Sequence, residues 1–226
     1  MNMKKLLTAT ALITAISATA TAIAATPYVE GALGYAKARD VDTDAYNSSG
    51  PGFTRSETYK LDYDSSAMYG AEFGFKDVLM PNLRIGASIA TMKFDLKSAQ
   101  LDTITTSGTV ITTDRGTLSA AEVAAEGLNF NSRINLYMLN AYYDFKNTTA
   151  FTPFVGFGVG LADIRQAKDQ KFAYVVNAGA KYNIDKNMYL GAKAAYTRIN
   201  GPTDEFGISY HNLAVYSANV MVGYEF

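Results

Sequence analysis

The stretch Ile134–Ile164, INLYMLNAYYDFKNTTAFTPFVGFGVGLADI, decides the fold. Tyr137, Leu139, Ala141, Tyr143 and Phe145 share one parity, and Met138, Asn140, Tyr142 and Asp144 the other. Beyond the polar turn Lys146–Ala150, Val155, Phe157, Val159 and Leu161 alternate with Phe154, Gly156, Gly158 and Gly160. Successive side chains of a strand point to opposite faces. The stretch is therefore an antiparallel hairpin with one greasy wall and one small or polar wall.

The pattern recurs on both sides of it. Strands are expected over about Tyr28–Lys37, Tyr59–Phe75, Leu83–Phe94, Phe172–Asn183, a segment after the turn Ile184–Asn187, and Asn212–Phe226. With the hairpin, that makes eight strands. The connections alternate between long and short. Ala38–Thr58, with its Asn47-Ser48-Ser49-Gly50-Pro51-Gly52 run, reads as a loop. Lys97–Leu128 is the longest break, and Ser119 is placed to cap a helical turn or two over Ser119–Glu126. Turns at Lys76–Asn82, Lys146–Ala150 and Ile184–Asn187 are short. Long connections on one side and short turns on the other fit an all-β, eight-stranded antiparallel up-and-down transmembrane barrel, with both termini on the periplasmic side.

Which wall faces inward follows from charge. The small-or-polar wall carries Glu30, Glu72, Arg84, Asp144, Lys181, Lys193 and Glu225, one ionisable group on most strands. Facing lipid, each would cost a few kcal/mol near the midplane. Inside a narrow barrel they can pair, and the neighbouring Gly and Ala leave room for long side chains. Glu72, Lys181 and Lys193 are expected to group with Glu30 nearer mid-barrel, and Arg84, Asp144 and Glu225 to lie at the periplasmic rim. These pairs would plug the lumen. The greasy wall then meets lipid, with Phe73, Phe75, Tyr143, Phe145, Tyr182 and Tyr224 as an interfacial girdle and Tyr35, Tyr69, Tyr137 and Tyr174 toward the other end. The competing arrangement, a soluble calycin-like barrel, would put the charges on a wet surface.

Other features narrow the class. Lys4 and Lys5 precede an apolar, Ala/Thr-rich run ending in Ala22-Ile23-Ala24, so residues 1–24 are expected to be a cleaved signal peptide and 25–226 the barrel domain. The chain lacks Cys, which excludes a disulfide framework and thiolate metal sites, and its formal charge of −1 makes no case for nucleic acid. No cofactor is expected. Gly156-Phe157-Gly158-Val159-Gly160 places Leu161 where a dinucleotide fingerprint needs its third Gly. Asp40-Val41-Asp42-Thr43-Asp44 opens like a calcium loop, but Ala45 and Pro51 stand where Gly and Glu are required. His211, the only histidine, has Ser209, Ser217, Asp204 and Glu205 near it in sequence, so lipid A or phospholipid hydrolysis is the enzymatic alternative.

Asn140–Phe145 (NAYYDF), Thr152–Gly160 (TPFVGFGVG) and the terminal Val222–Phe226 (VGYEF) resemble the outer-membrane β-barrel family of small opacity-type and OmpA-barrel-like surface proteins. The likeness runs from about Tyr28 to Phe226. It implies a Gram-negative outer membrane, surrounding lipids, and a C-terminal signal at Tyr224 and Phe226 for the barrel-assembly machinery. Because the sequence stops at Phe226, the peptidoglycan-binding domain of full OmpA proteins is not expected. The resemblance also implies a non-enzymatic surface protein whose loops 38–58 and 97–128 contact a host or cell-surface ligand, as an adhesin does. An envelope-integrity protein or a narrow porin-like channel is the alternative.

Overall fold

The computed structural model describes residues 25–125, 127, 131–165, 167–203 and 209–226. The expected signal peptide, residues 1–24, lies outside them, as do Asp204 and Glu205. The described chain has thirteen strands and one short helix: β1 (Thr26–Ala38), β2 (Val41–Asp42), β3 (Tyr46–Gly50), β4 (Phe53–Tyr63), β5 (Ser66–Lys76), β6 (Leu83–Phe94), β7 (Leu96–Ser107), β8 (Val110–Ser119), α1 (Ala120–Ala125), β9 (Ser132–Asp144), β10 (Phe151–Ile164), β11 (Lys171–Asn183), β12 (Met188–Ile199) and β13 (Leu213–Glu225).

Eight of these close a barrel in the order β1-β13-β12-β11-β10-β9-β6-β5. The opening hairpin is β9–β10, paired antiparallel with Val155 opposite Tyr143 and Phe157 opposite Ala141. Closure is made by β1, which pairs with β13 on one side and β5 on the other. A closed sheet has no free backbone edge, the condition for a strand assembly to cross lipid. The facing assigned from parity holds on every barrel strand: Leu33, Tyr35, Tyr69, Val155, Phe157, Val176 and Val220 are exposed, whereas Glu30, Glu72, Arg84, Asp144 and Lys181 are buried.

The long connections depart from the loop assignment. Ala38–Thr58 contains β2, β3 and the first half of β4, and Lys97–Leu128 contains most of β7, then β8 and α1. They form a second, five-stranded sheet, β2-β4-β7-β8 with β3 on β4. The reason is continuity. After β4 only Asp64 and Ser65 precede β5, and only Asp95 separates β6 from β7, so the β5–β6 hairpin runs on beyond the barrel as the β4–β7 ladder. A bulge between Asp62 and Tyr63 marks the junction. Thr, Ser and Asp give this ladder a polar composition, which masks strands in a sequence scan, although Thr itself suits a strand. α1 forms where Ser119 caps it: Ser119 Oγ accepts the Glu122 N–H and the Glu122 carboxylate accepts the Ser119 N–H at 2.8 Å, a reciprocal capping box.

The barrel thus has two ends: a terminal end, where Thr26, Phe226 and the short turns lie, and a sheet end, which carries the second sheet. At the terminal end Phe226 N–H donates to Pro27 O at 3.0 Å.

Candidate functional site

Two regions hold the chemistry, the lumen and the sheet. In the half of the lumen nearer the termini, Arg84 is 1% exposed and Asp144 is fully buried. Arg84 Nε lies 3.0 Å from Asp144, and Nη1 lies 3.9 Å from Glu30. Its guanidinium sits 4.7 Å from the Tyr142 ring centre, 5.3 Å from Tyr28 and 5.2 Å from Phe154. Arginine's weakly hydrated, planar group suits this stacked, dry setting better than an ammonium. Lys181 Nζ reaches Asp144 at 2.7 Å and Glu225 at 3.6 Å, and Lys76 also binds Glu225. Lys193 bonds Glu30 at 2.9 Å, and Tyr189 donates to the same carboxylate at 2.9 Å.

The expected grouping needs correction. Glu72 does not join Lys181 and Lys193; no cation pairs with it among the described residues. It accepts instead from Tyr28 at 2.5 Å, Tyr142 at 2.8 Å and Asn140 at 2.8 Å. Three neutral donors occupy its two oxygens, and its cross-strand partner Glu30 takes the lysine. Lys181 instead joins Asp144 and Glu225, toward the terminal end. Tyr28, Tyr142, Tyr189 and Lys76 were missed as partners. All four follow from parity: each shares the inner face of its strand, and Lys76, assigned to a turn, is two residues past inward-facing Gly74.

A second departure lies toward the sheet end, where the inner face is not polar. Met92, Phe94, Ile134, Leu136, Met138, Ile164, Val175, Ile199, Leu213 and Val215 fill it as one buried cluster. Val41, Leu61, Leu96 and Ala99 of the sheet and Val123 of α1 belong to the same cluster, so the sheet is rooted in the barrel by a shared core. Between the charged and apolar layers lies a cavity of about 60 Å³, lined among others by Glu72, Asn140, Lys193, Asn177, Asn219 and Met138.

Beyond the barrel the sheet is open. Every residue of β8 except half-buried Leu118 is exposed, Val110 and Ile111 at 63% and 69%. Arg115 forms a double contact with Asp102 across β7–β8. The acidic run is dispersed: Asp40 pairs with Lys60 at 3.4 Å and Asp44 with His211 at 3.1 Å. Asp62 meets Lys37 at 3.2 Å and Lys97 at 3.3 Å. Burial pushes its carboxyl up, but the two ammonium groups outweigh this and hold it below the usual carboxylate range. Ser209 shares a hydrogen bond with Thr203, and Ser217 accepts one from Asn219. Neither serine is hydrogen-bonded to His211 among the described residues, so these side chains do not come together as nucleophile and base.

Comparisons place this geometry among known proteins. PagN, an outer membrane protein of Salmonella typhimurium (strain LT2), is 36% identical over 80 residues, 28% of this chain and 34% of PagN. The chain therefore spans about a third of the length of that curated relative. The crystal structure of Neisserial surface protein A superposes with a TM-score of 0.54 at 15% identity, covering 88% of this chain and 97% of that one. This likeness is one of fold. The outer membrane protease OmpT of Escherichia coli superposes less well, at a TM-score of 0.49 and 9% identity, covering 91% and 99%. The family model described as outer membrane protein beta-barrel domain matches residues 7–226. The chain belongs to the outer-membrane protein β-barrel domain family.

Proposed function

We propose that this protein is a non-enzymatic surface protein of the Gram-negative outer membrane, a plugged barrel that holds a five-stranded sheet outside the cell to contact a host or cell-surface ligand. In this reading both termini are periplasmic, and Tyr224 and Phe226 are read by the barrel-assembly machinery. One observation carries the proposal: the two longest connections fold together into an ordered sheet that barrel closure does not require. Binding surfaces tend to be built on connections held by a rigid scaffold. Seated on the shared core around Leu61 and Ala99, the sheet presents a preformed surface, which lowers the ordering cost of binding.

The test removes the distal sheet and keeps its root. Replacing residues 46–57 and 103–114 each by a two-residue Asn-Gly turn links Ala45 to Thr58 and Asp102 to its cross-strand partner Arg115, at the level where Thr58 pairs with Asp102. The barrel should keep its heat-dependent gel shift, while adhesion of expressing cells to host cells and matrix-coated surfaces falls to background. Unchanged adhesion with a folded barrel overturns the proposal. The two stacked lumen layers support the plug. A folded barrel without single-channel conductance in planar bilayers is the expected result, and steady conductance would favour the channel alternative.

A further inference from the structure

On the outward face at the sheet end, three neighbouring strands present cations side by side. Lys93 of β6 stands directly opposite Arg133 of β9, and on the far side Arg165, just past β10, donates its backbone N–H to Arg133 O at 2.8 Å. All three side chains are exposed. Like charges directly opposite on one face destabilise a sheet unless an anion lies between them. Two carboxylates are near. Asp95 pairs with Lys93 at 3.0 Å, with both groups more than half exposed. Asp163 occupies the row below, opposite Asn135. The patch keeps a net positive charge.

Its position identifies what lies against it. Directly below, Thr91 donates to Asn135 at 2.9 Å, and below that Ile89, Tyr137 and Leu161 stand in register as the first apolar row of the lipid-facing wall. Four residues along a tilted strand put the cations roughly 10 Å above that row. The headgroup layer is about 5–8 Å deep on each side, and long basic side chains bend to reach it.

We propose that Lys93, Arg133 and Arg165 bind a phosphate monoester on a lipid headgroup in the leaflet at the sheet end, in preference to the phosphodiester of an ordinary phospholipid. A phosphate monoester carries close to two negative charges and three acceptor oxygens, which suits two guanidinium groups and an ammonium. The occupant is a lipid because the patch continues the lipid-facing wall. The inference rests on the barrel being embedded in a membrane and is independent of what the sheet binds.

The test refolds the protein into phosphatidylcholine vesicles alone, with diphosphorylated lipid A, or with dephosphorylated lipid A. The temperature at which the compact gel band is lost is read in each. Diphosphorylated lipid A should raise it by several degrees and the dephosphorylated form should not. The double variant Arg133→Gln/Arg165→Gln should match the unmodified chain in phosphatidylcholine and lose most of the rise. Lys186→Gln, at the terminal end, should keep the rise. Should the double variant fail to fold, Lys93→Gln and Arg165→Gln singly should each lose part of it. No rise in the unmodified chain, an equal rise with dephosphorylated lipid, or a full rise in the patch variants overturns the proposal.

Discussion

Arg84 and Phe94 lie on the same strand and face the same lumen, yet opposite means hold them in place. Around Arg84 the lumen carries a chain of ion pairs and phenol hydrogen bonds running from Lys193 through Glu30 and Asp144 to Glu225. Around Phe94 it carries buried apolar side chains, and that cluster continues into the second sheet. The difference shows that a membrane barrel need not have a uniformly polar interior. Where the lumen is crossed only by barrel strands, buried charges satisfy one another. Where a sheet sits over the mouth, apolar side chains have a partner surface to bury against, and the half becomes an ordinary core.

The comparison breaks most sharply at Arg84. Arg84→Ala leaves Asp144 and Glu30 buried without their shared cation, and loss of one partner from such a site costs about 3–5 kcal/mol. Urea unfolding of the barrel in lipid vesicles should register that loss, and a small effect would mean that Lys181 and Lys193 alone satisfy the layer. Leu61→Ala tests the other half. Truncation of this fully buried side chain should cost about 2–5 kcal/mol and make the sheet susceptible to protease while the barrel survives. If sheet and barrel fail together instead, the shared core is one cooperative unit.

Glu72→Gln is a subtler probe. It keeps the size of the side chain but turns one acceptor oxygen into a donor facing the Tyr28 and Tyr142 hydroxyls and the Asn140 amide. A cost of about 1–3 kcal/mol is expected from the resulting mismatch. Full stability would show that the carboxylate is not needed as an ion. The smallest effect concerns Asp62. Its carboxyl is depressed in the folded chain, so its contribution is present above the unfolded value near 3.9 and fades as pH falls below it. At this half-exposed pair of contacts the contribution is about 1 kcal/mol or less. An acid titration of protease resistance should therefore separate the native chain from Asp62→Asn above about pH 4 and merge them below, with ordering of the sheet rather than the barrel as the readout.

Much of this fold was legible from parity alone. The facing of β9 and β10 follows from Asn140 and Asp144 against Leu139 and Tyr143, and the same alternation orients every barrel strand. The burial of Glu30, Glu72, Arg84, Asp144 and Lys181 follows from the same parity. Their partners were not legible, because pairing depends on register between strands distant in sequence: Glu30 and Lys193 meet only once β1, β13 and β12 are aligned. The apolar half of the lumen was hidden for another reason. Met92, Phe94, Ile134 and Leu136 sit on the inner parity in plain sight, but hydrocarbon on the inner wall makes sense only once something covers the mouth. The sheet that covers it is built of Thr, Ser and Asp, residues that a sequence scan assigns to loops.

The bulge at Asp62–Tyr63 has a mechanical consequence. The ladder does not stop there: Asp64 N–H donates to Asp95 O at 3.0 Å, so β4–β5 and β6–β7 cross the junction as two continuous, mutually bonded strands. A pull on the far sheet therefore loads covalent chain and ladder hydrogen bonds that run straight into the barrel wall, through a junction where the bulge bends the ladder. The sheet is stepped into the wall as a mast is, so tension on its tip passes to the strands of the barrel.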